Sequence, residues 1–355
     1  MRFPEFTEEW KKYDLSDCSF FRSERINTSE LDVENYISTE NMLQNFQGIY
    51  IANSIPDNIN VTSFKEGDIL ISNIRPYLKK VWQSDRKGGC SADVFVLKAN
   101  NTICSDCFLH YLIANDTFIN FVMSGAKGVK MPRGDKKQMV TYNMGIPHIK
   151  EQNKISRLLD LLNKRIVTQN KIIEQLQSLI KGIVVSITTE TPNTRIDKCL
   201  VCHSSTFQEN HIEDFGDFPV YGANGICGYT VNADFKEPAI LIVKDGSGVG
   251  NVHFVNGKYS VIGTQNILTP QNRFCLKYIF YCLQAFNFMP YKTGMAIPHI
   301  YFKDYGKTKI YCPNFEQQVK IASQIDLIES KIEIETQLLN KYEEQKKFLL
   351  SNMFI

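Results

Sequence analysis

The sequence lacks the features that would identify a membrane protein or an enzyme. No stretch reaches the roughly 18 consecutive uncharged apolar residues that a membrane-spanning helix needs. A Gly-Lys-Ser/Thr phosphate loop, a His-Glu-x-x-His metal motif and a Gly-x-Ser-x-Gly nucleophile elbow are all missing. The six histidines are scattered singly, with no triad to assign. We therefore predict that the chain catalyses no reaction and holds neither a cofactor nor a metal.

Net charge is also small, because 40 Lys and Arg face 38 Asp and Glu. No overall field favours nucleic acid or a membrane surface, so any basic surface must be local. With 355 residues, of which 43% are hydrophobic and 22% charged, the chain is expected to fold into more than one core. The first residues lack the apolar core of a signal peptide. We therefore expect a cytoplasmic protein whose ten cysteines are reduced thiols.

An internal repeat organises the chain. Residues 147–161 align with residues 313–327 at a constant offset of 166, and Pro, Gln, Lys, Ile, Asp and Leu coincide. The same offset places Gly128 on Gly294 and Pro132 on Pro298. The two halves are therefore predicted to share one structural plan.

Each repeat opens a long helical pattern, in which apolar residues are spaced alternately four and three apart as in a coiled coil. The first series is Ile155, Leu159, Leu162, Ile166, Gln169, Ile173, Leu176, Ile180 and Ile183, and the second is Ile321, Ile325, Ile328, Ile332, Glu335, Leu339, Tyr342, Lys346 and Leu349. We predict an antiparallel pair within one chain, in which Gln169 meets Glu335 and fixes the register. A contact of these two polar residues with a partner chain is the alternative interpretation.

The remaining segments have the composition of α+β domains, with short β-branched or aromatic runs broken by Gly, Asn, Asp and Pro. The predicted division is a first domain at 1–145, a first long helix at 146–187, a linker at 188–194, a second domain at 195–311 and a second long helix at 312–352. Strands are expected at 68–73, 92–97, 239–243 and 261–268, and short helices at 108–113 and 278–283.

Two patterns suggest chemistry, but each has a simpler interpretation. Glycines at 245–250 follow a predicted strand and could cradle a phosphate, yet Asn251–Gly257 alternates like a second strand, which favours a hairpin turn. Cys104 and Cys107 form one Cys-x-x-Cys pair, and Cys199 and Cys202 form another, which His203 follows as in a haem attachment site. A zinc site would have to join the two halves, so packed free thiols are favoured over zinc or haem.

Local clusters of basic and polar residues are more suggestive of nucleic acid. Residues 127–137 hold five basic side chains and one acidic side chain on backbone that contains Gly and Pro. Residues 75–80 add a second basic loop, and the second half has polar residues around its glycine turn. Such side chains can contact base edges or phosphates, although solvated surface charge is the alternative for each residue.

Over nearly its whole length, the sequence resembles the specificity subunits of type I restriction-modification systems. The similarity lies in the opening residues 2–17, in Tyr36–Met42, in Gly67–Ile71, in Tyr221–Gly225 and in the helix start at 146–155. One departure is Gln317, which occupies the place of Glu151 in the second repeat. The two β-rich domains align poorly with each other, which implies two different half-site sequences.

The resemblance implies an α+β fold of two α/β target-recognition domains, separated by two long antiparallel helices that form an intramolecular coiled coil with pseudo-two-fold symmetry. Each domain would read one half of a bipartite asymmetric site in double-stranded DNA, and the helices would set the spacing. Two methyltransferase subunits that use S-adenosylmethionine would bind the helices, and ATP-dependent translocase-nuclease subunits would join them for restriction. The predicted DNA contacts are Arg75, Tyr77, Lys79, Lys80, Lys127, Lys130 and Arg133 in the first half, and Asn224, Lys244, Ser247, Asn251, His253 and Lys292 in the second half. The alternatives are a protein-binding scaffold without catalytic activity and a self-contained methyltransferase.

Overall fold

The computed structural model describes residues 2–213, 215–295 and 297–354. The chain divides into two compact units. Unit 1 comprises residues 1–168 and 338–355, and unit 2 comprises residues 169–337. Each unit therefore contains one β-rich domain and one segment from each long helix, as the internal repeat predicts.

Unit 1 contains the first ten strands and the first four helices. The strands are β1 (Lys11–Asp14), β2 (Ser19–Phe21), β3 (Arg25–Asn27), β4 (Tyr36–Ile37), β5 (Asn60–Phe64), β6 (Ile69–Ser72), β7 (Val81–Gln83), β8 (Gly88–Cys90), β9 (Val94–Ala99) and β10 (Asn143–Ile146). The helices are α1 (Leu15–Cys18), α2 (Asp106–Ile113), α3 (Asp116–Ser124) and α4 (Lys136–Met139).

Two four-stranded sheets form the domain of unit 1. One is antiparallel with the order β2-β9-β6-β7, and every residue of β6 is buried. The other has the order β3-β5-β8-β4, in which β4 and β8 run parallel. Strands β1 and β10 pair with each other just before the first long helix. Because β6 lies inside its sheet, the loop that leaves it starts from a rigid support.

Unit 2 repeats this arrangement with the remaining shorter elements. Its strands are β11 (Thr194–Arg195), β12 (Leu200–Ser204), β13 (Phe218–Gly222), β14 (Gly225–Thr230), β15 (Ala239–Val243), β16 (Val252–Val255), β17 (Ser260–Val261), β18 (Gln265–Pro270) and β19 (Lys309–Ile310). Its shorter helices are α6 (Ile196–Cys199), α7 (Leu276–Gln284) and α8 (Phe302–Tyr305).

The sheets of unit 2 match those of unit 1 in kind. One is antiparallel with the order β12-β18-β15-β16, with the fully buried β15 in the place of β6. The other has the order β14-β13-β17, and β13 runs parallel to β17. The single strand expected at 261–268 is wrong, because residues 262–264 interrupt it and β17 and β18 belong to different sheets.

The two long helices are confirmed as α5 (Ile149–Thr188) and α9 (Phe315–Met353). In unit 1, Ile155 and Leu159 of α5 share a core with Leu349 and Met353 of α9. In unit 2, Gln169 Nε2 donates to the backbone oxygen of Glu335 at 3.1 Å and also to its carboxylate. The predicted contact between these two polar residues is therefore confirmed within the chain. The division into five segments stays a prediction.

A duplicated set of hydrogen bonds attaches each domain to its long helix. Gln152 Oε1 accepts from the Ser105 amide at 2.8 Å, and Gln318 Oε1 accepts from the Cys275 amide at 3.0 Å. Tyr111 donates to Asp160 at 2.5 Å, as Tyr281 does to Asp326 at 2.6 Å. On the long helices, Gln152 and Gln318 are separated by the repeat offset of 166, and so are Asp160 and Asp326. The repeat therefore also preserves these contacts.

Among the described residues, no helix is both long and apolar enough to cross a membrane.

Candidate nucleic-acid interface

In unit 1 the loop at residues 73–80, which we call strand-end loop 1, leaves the buried strand β6. Arg75 and Lys79 both have left-handed backbone, with φ of 51° and 54°, and they flank a short 3-10 turn that starts with Pro76. The Arg75 side chain is exposed and makes no hydrogen bond or ion pair with the described residues. Tyr77 is 47% exposed beside it. The turn therefore presents a guanidinium group and an aromatic ring to solvent.

A second segment, hairpin 1 (residues 127–133), is attached to strand-end loop 1 by its backbone. Lys127 and Arg133 exchange two backbone hydrogen bonds of 3.1 and 3.0 Å that close the hairpin. The Arg75 amide donates to the Pro132 carbonyl at 2.8 Å, and the Gly134 amide donates to the Asn73 carbonyl at 3.0 Å. The structure thus brings together the two basic segments that the sequence analysis identified separately.

Acidic neighbours already pair with several of the basic side chains of unit 1. Lys127 Nζ lies 3.1 Å from Asp135. Arg133 contacts Asp93 at 2.9 Å, and Lys79 contacts Asp116 at 2.7 Å. These ion pairs are largely exposed, so they are weak and can exchange for phosphate contacts.

Lys80 and Lys130 differ from these paired side chains and from each other. Lys80 Nζ turns inward and donates to the Thr39 carbonyl at 2.6 Å, and partial burial lowers the pKa of this ammonium. Lys130 is exposed at the end of hairpin 1 and makes no hydrogen bond or ion pair with the described residues. Of the predicted basic contacts in unit 1, Arg75 and Lys130 are thus the most available to a ligand.

Unit 2 builds the same arrangement from different residues. Strand-end loop 2 (residues 244–251) leaves the buried strand β15, and hairpin 2 (residues 293–295 and 297–299) docks on it. The Gly246 amide donates to the Pro298 carbonyl at 3.0 Å, and the Ile300 amide donates to the Lys244 carbonyl at 2.9 Å. Thr293 and His299 close the hairpin with backbone bonds of 2.9 and 2.8 Å. Gly246 and Pro298 thus occupy the places of Arg75 and Pro132.

The glycines at 245–250 belong to a turn between two strands. Gly246 and Gly250 have φ of +95° and +93°, which a residue with a side chain rarely adopts. Strand β16 follows and pairs antiparallel with β15, so the expected hairpin is confirmed. The Gly248 backbone lies close to Ala223, which brings the turn that carries Asn224 beside this loop.

The predicted contacts of unit 2 differ in how they face solvent. Asn224, Ser247, Asn251 and Lys292 are exposed, and their side chains make no hydrogen bond with the described residues. Lys244 is half-buried. His253 lies on β16 opposite Leu241, and its Nε2 atom is buried without a hydrogen-bond partner among the described residues. The turns therefore offer amide and hydroxyl groups for recognition, whereas the His253 Nε2 atom does not face solvent.

Sequence reasoning missed the apolar ends of both hairpins and a buried amide beneath hairpin 1. Val129 and Met131 are exposed in hairpin 1, as are Met295 and Ile297 in hairpin 2. The Asn73 Oδ1 atom is buried without a hydrogen-bond partner among the described residues. The repeat at Gly128 and Gly294 marked both hairpins, but nothing in the sequence distinguishes an exposed Val or Met from a buried one.

Except for the exposed Cys227, the cysteines are buried or partly buried thiols. All ten are free, and the Cys199 and Cys312 sulfur atoms lie 3.8 Å apart. Burial raises the pKa of Cys90 to about 12 and that of Cys202 to about 11, which disfavours the thiolate form that binds metals. Within the described part of the chain, no group of three or more His, Cys, Asp or Glu side chains could hold a metal ion.

Comparisons with known proteins connect this arrangement to one family. The family model for the type I restriction modification DNA specificity domain matches residues 7–178 and 201–344. The EcoprrI type I restriction enzyme specificity subunit of Escherichia coli is 26% identical over 109 residues, which are 31% of this chain and 27% of that protein. The MjaVIII type I restriction enzyme specificity subunit of Methanocaldococcus jannaschii is 30% identical over 105 residues, which are 30% of this chain and 24% of that protein. Each alignment thus spans about a quarter of the curated relative.

Solved structures share the fold over the whole chain. The S subunit of the type I restriction-modification system from M. genitalium has a TM-score of 0.68 at 14% identity, and the match covers 99% of this chain and 97% of that one. The HsdS subunit of Thermoanaerobacter tengcongensis has a TM-score of 0.51 at 16% identity, with 99% and 98% covered. At such low identity these likenesses show a common fold.

Proposed function

Because the chain belongs to the type I restriction modification DNA specificity domain family, we propose that it is the DNA sequence-specificity subunit of a type I restriction-modification complex. Each β-rich domain reads one half of a bipartite asymmetric site in double-stranded DNA. The long helices set the distance between the half-sites and bind the methyltransferase subunits.

The observation that carries this proposal is that both units share one backbone arrangement, which we call the frame, but expose different side chains on it. Both units place a strand-end loop after a buried central strand and fasten a hairpin to it through backbone hydrogen bonds. Unit 1 presents Arg75 and Tyr77 at this position, whereas unit 2 presents Ser247 and Asn251. Arg and Asn are the side chains that make two-pronged hydrogen bonds to guanine and adenine, respectively. A shared frame with unlike side chains suits two unlike half-sites.

Adenine modification would require chemistry that we assign to other subunits. A methyltransferase must flip its target base into a pocket beside the methyl donor. We propose that this chain is not catalytic and has no cofactor of its own, and that its partners bind S-adenosylmethionine and ATP. Binding of S-adenosylmethionine by the isolated chain would instead favour a self-contained methyltransferase.

The helices offer equivalent surfaces for two partners. Leu161 of unit 1 and Leu327 of unit 2 lie at the repeat offset, and both are exposed. Exposed apolar side chains at equivalent places suit two copies of one partner, and we assign them to two methyltransferase subunits. Translocase-nuclease subunits would join this complex for restriction. Because the substrate is cellular DNA, we place the protein in the cytoplasm.

The test is to express the chain with its candidate methyltransferase in a host that lacks other modification, and to map N6-methyladenine across the genome by single-molecule sequencing. The expected result is a new split motif with two unlike halves. Arg75→Ala should relax one half only, and Ser247→Ala combined with Asn251→Ala should relax the other half. The exposed Lys87, whose side chain makes no hydrogen bond or ion pair with the described residues, provides the control Lys87→Ala.

A purified complex of the two chains that binds no duplex and adds no methylation would overturn the proposal in favour of a protein-binding scaffold. Relaxation of both halves by a change in one unit would contradict the assignment of one half-site to each domain.

A further inference from the structure

The ends of the two hairpins expose apolar side chains that nothing in their own unit covers. Val129 has a relative exposure of 104%, and Met295 in hairpin 2 reaches 107%. Values this high mean that the side chains make almost no contact with the rest of the chain. Met131 and Ile297 are exposed beside them, at 47% and 67%. Each unit thus presents two apolar side chains at the same place in its frame.

Glycines and backbone hydrogen bonds shape the described part of both hairpins. Gly128 and Gly294 have φ of +97° and +86°, which favours glycine at the turn. A Cβ atom on Gly294 would lie 2.3 Å from the Ile297 carbonyl oxygen, so a side chain cannot be accommodated there without a shift. Because backbone bonds also tie each hairpin to its strand-end loop, the apolar side chains are positioned before any partner binds.

The charges around the apolar ends indicate the kind of partner. Hairpin 1 carries Lys127, Lys130 and Arg133 within seven residues, of which Lys127 and Arg133 pair with exchangeable acidic neighbours, and Lys292 directly precedes hairpin 2. Basic side chains around an apolar end are complementary to duplex DNA, which offers phosphates outside and the apolar methyl groups of thymine in its major groove. The major groove is also wide enough to admit a two-stranded ribbon.

We propose that the ends of the two hairpins insert into the major groove of DNA and contact thymine methyl groups through Val129 and Met131 in unit 1 and through Met295 and Ile297 in unit 2. This inference rests on the proposed function and adds a contact of a different kind from the polar strand-end loops. The apolar side chains contribute to affinity for the target sequence, and the lysine and arginine side chains contribute to affinity for any DNA.

The experiment measures binding of the complex with its methyltransferase to a labelled duplex that carries the methylated motif and to a duplex that lacks it, at several salt concentrations. Val129→Ser combined with Met131→Ser should weaken binding to the target by about tenfold, in line with the lost burial of an apolar side chain. Binding to the other duplex and the dependence of affinity on salt should not change, because no phosphate contact is lost. Met295→Ser combined with Ile297→Ser should act in the same way through unit 2.

Two control variants separate this contact from other causes. Lys130→Ala should weaken binding to both duplexes. It should also reduce the slope of log affinity against log salt concentration by about one, as expected for the loss of a phosphate contact. Ile59→Ser removes an exposed apolar side chain of unit 1 outside the hairpin and the strand-end loop, and should leave binding unchanged. Circular dichroism and copurification with the methyltransferase report on folding and assembly.

Unchanged target affinity in both hairpin variants would overturn the inference while leaving the proposed function intact. Loss of the methyltransferase from the purified complex would also overturn it, because the apolar ends would then contact protein. Failure of the unmodified complex to bind any duplex would overturn the proposed function, and the inference with it.

Discussion

Removing one heptad from each long helix tests whether the helices set the distance between the half-sites. Residues 170–176 and 328–334 are suitable, because they adjoin Gln169 and Glu335 and their removal preserves that polar pair. The apolar spacing of four and three also continues across both deletions. Seven helical residues span about 10 Å at about 1.5 Å each. Each base pair adds about 3.4 Å to the length of DNA. The spacer, which is the stretch of DNA between the two half-sites of the methylated motif, should therefore shorten by about three base pairs.

The faces of the protein helices should rotate little in this experiment. An α-helix falls only about 20° short of a whole number of turns over seven residues, so the retained helix faces keep nearly the same direction. The assay is the genome-wide methylation map, with both half-site sequences expected to stay the same. A control with each heptad replaced by another of the same apolar pattern should keep the original spacer. If the deletion variant methylates fully but the spacer is unchanged, the helices do not set the distance between the half-sites.

Two further predictions concern stability. Burial, together with the charge of Lys346, lowers the pKa of His110 to about 4. Since this is below the ordinary value of about 6.5, the unfolded chain binds the proton first, and unit 1 should lose up to about 3 kcal/mol as the pH falls from about 6.5 to 4. Urea unfolding of His110→Phe, which copies Phe280 at the equivalent place in unit 2, should show a weaker pH dependence over that range, and an equal dependence would rule out this histidine as its source. Tyr281→Phe removes hydroxyl contacts of 2.6 and 2.7 Å to two helix carboxylates and should cost about 1–2 kcal/mol in urea unfolding. The same change at Tyr229, whose hydroxyl has no partner among the described residues, should cost almost nothing, and equal costs would contradict the reasoning.

The features of the fold that depend on local periodicity could be predicted from the sequence. The alternating spacing predicted α5 and α9 and the meeting of Gln169 with Glu335, because a regular helix converts a linear pattern directly into one face. Shorter elements were harder to predict. Helix α3 (Asp116–Ser124) was not foreseen, because nine residues hold too few turns to show a clear period.

The candidate site was less predictable, because its parts come from distant places in the chain. The basic content of residues 75–80 and 127–137 was visible, but their attachment through the Arg75 amide depends on tertiary folding. Composition also could not tell Lys130, which has no ionic partner among the described residues, from Lys80, which turns inward to the Thr39 carbonyl. Whether a lysine faces solvent depends on the backbone around it. Here Lys79, which directly precedes the inward-facing Lys80, has left-handed backbone with φ of 54°.

Under the proposed function, the repeat would let the DNA sequence that each domain recognises change without loss of the fold. The bonds that join each domain to its long helix use groups at equivalent places, such as Gln152 and Gln318, and the backbone atoms that dock each hairpin are independent of side-chain identity. The exposed side chains of Tyr77 and Ser247 make no hydrogen bond or ion pair with the described residues. Substitutions at these positions should therefore alter recognition at little cost in stability, since exposed residues outside packing and caps usually change it by less than about 0.5 kcal/mol. The two units can accordingly diverge in sequence while their frame stays the same.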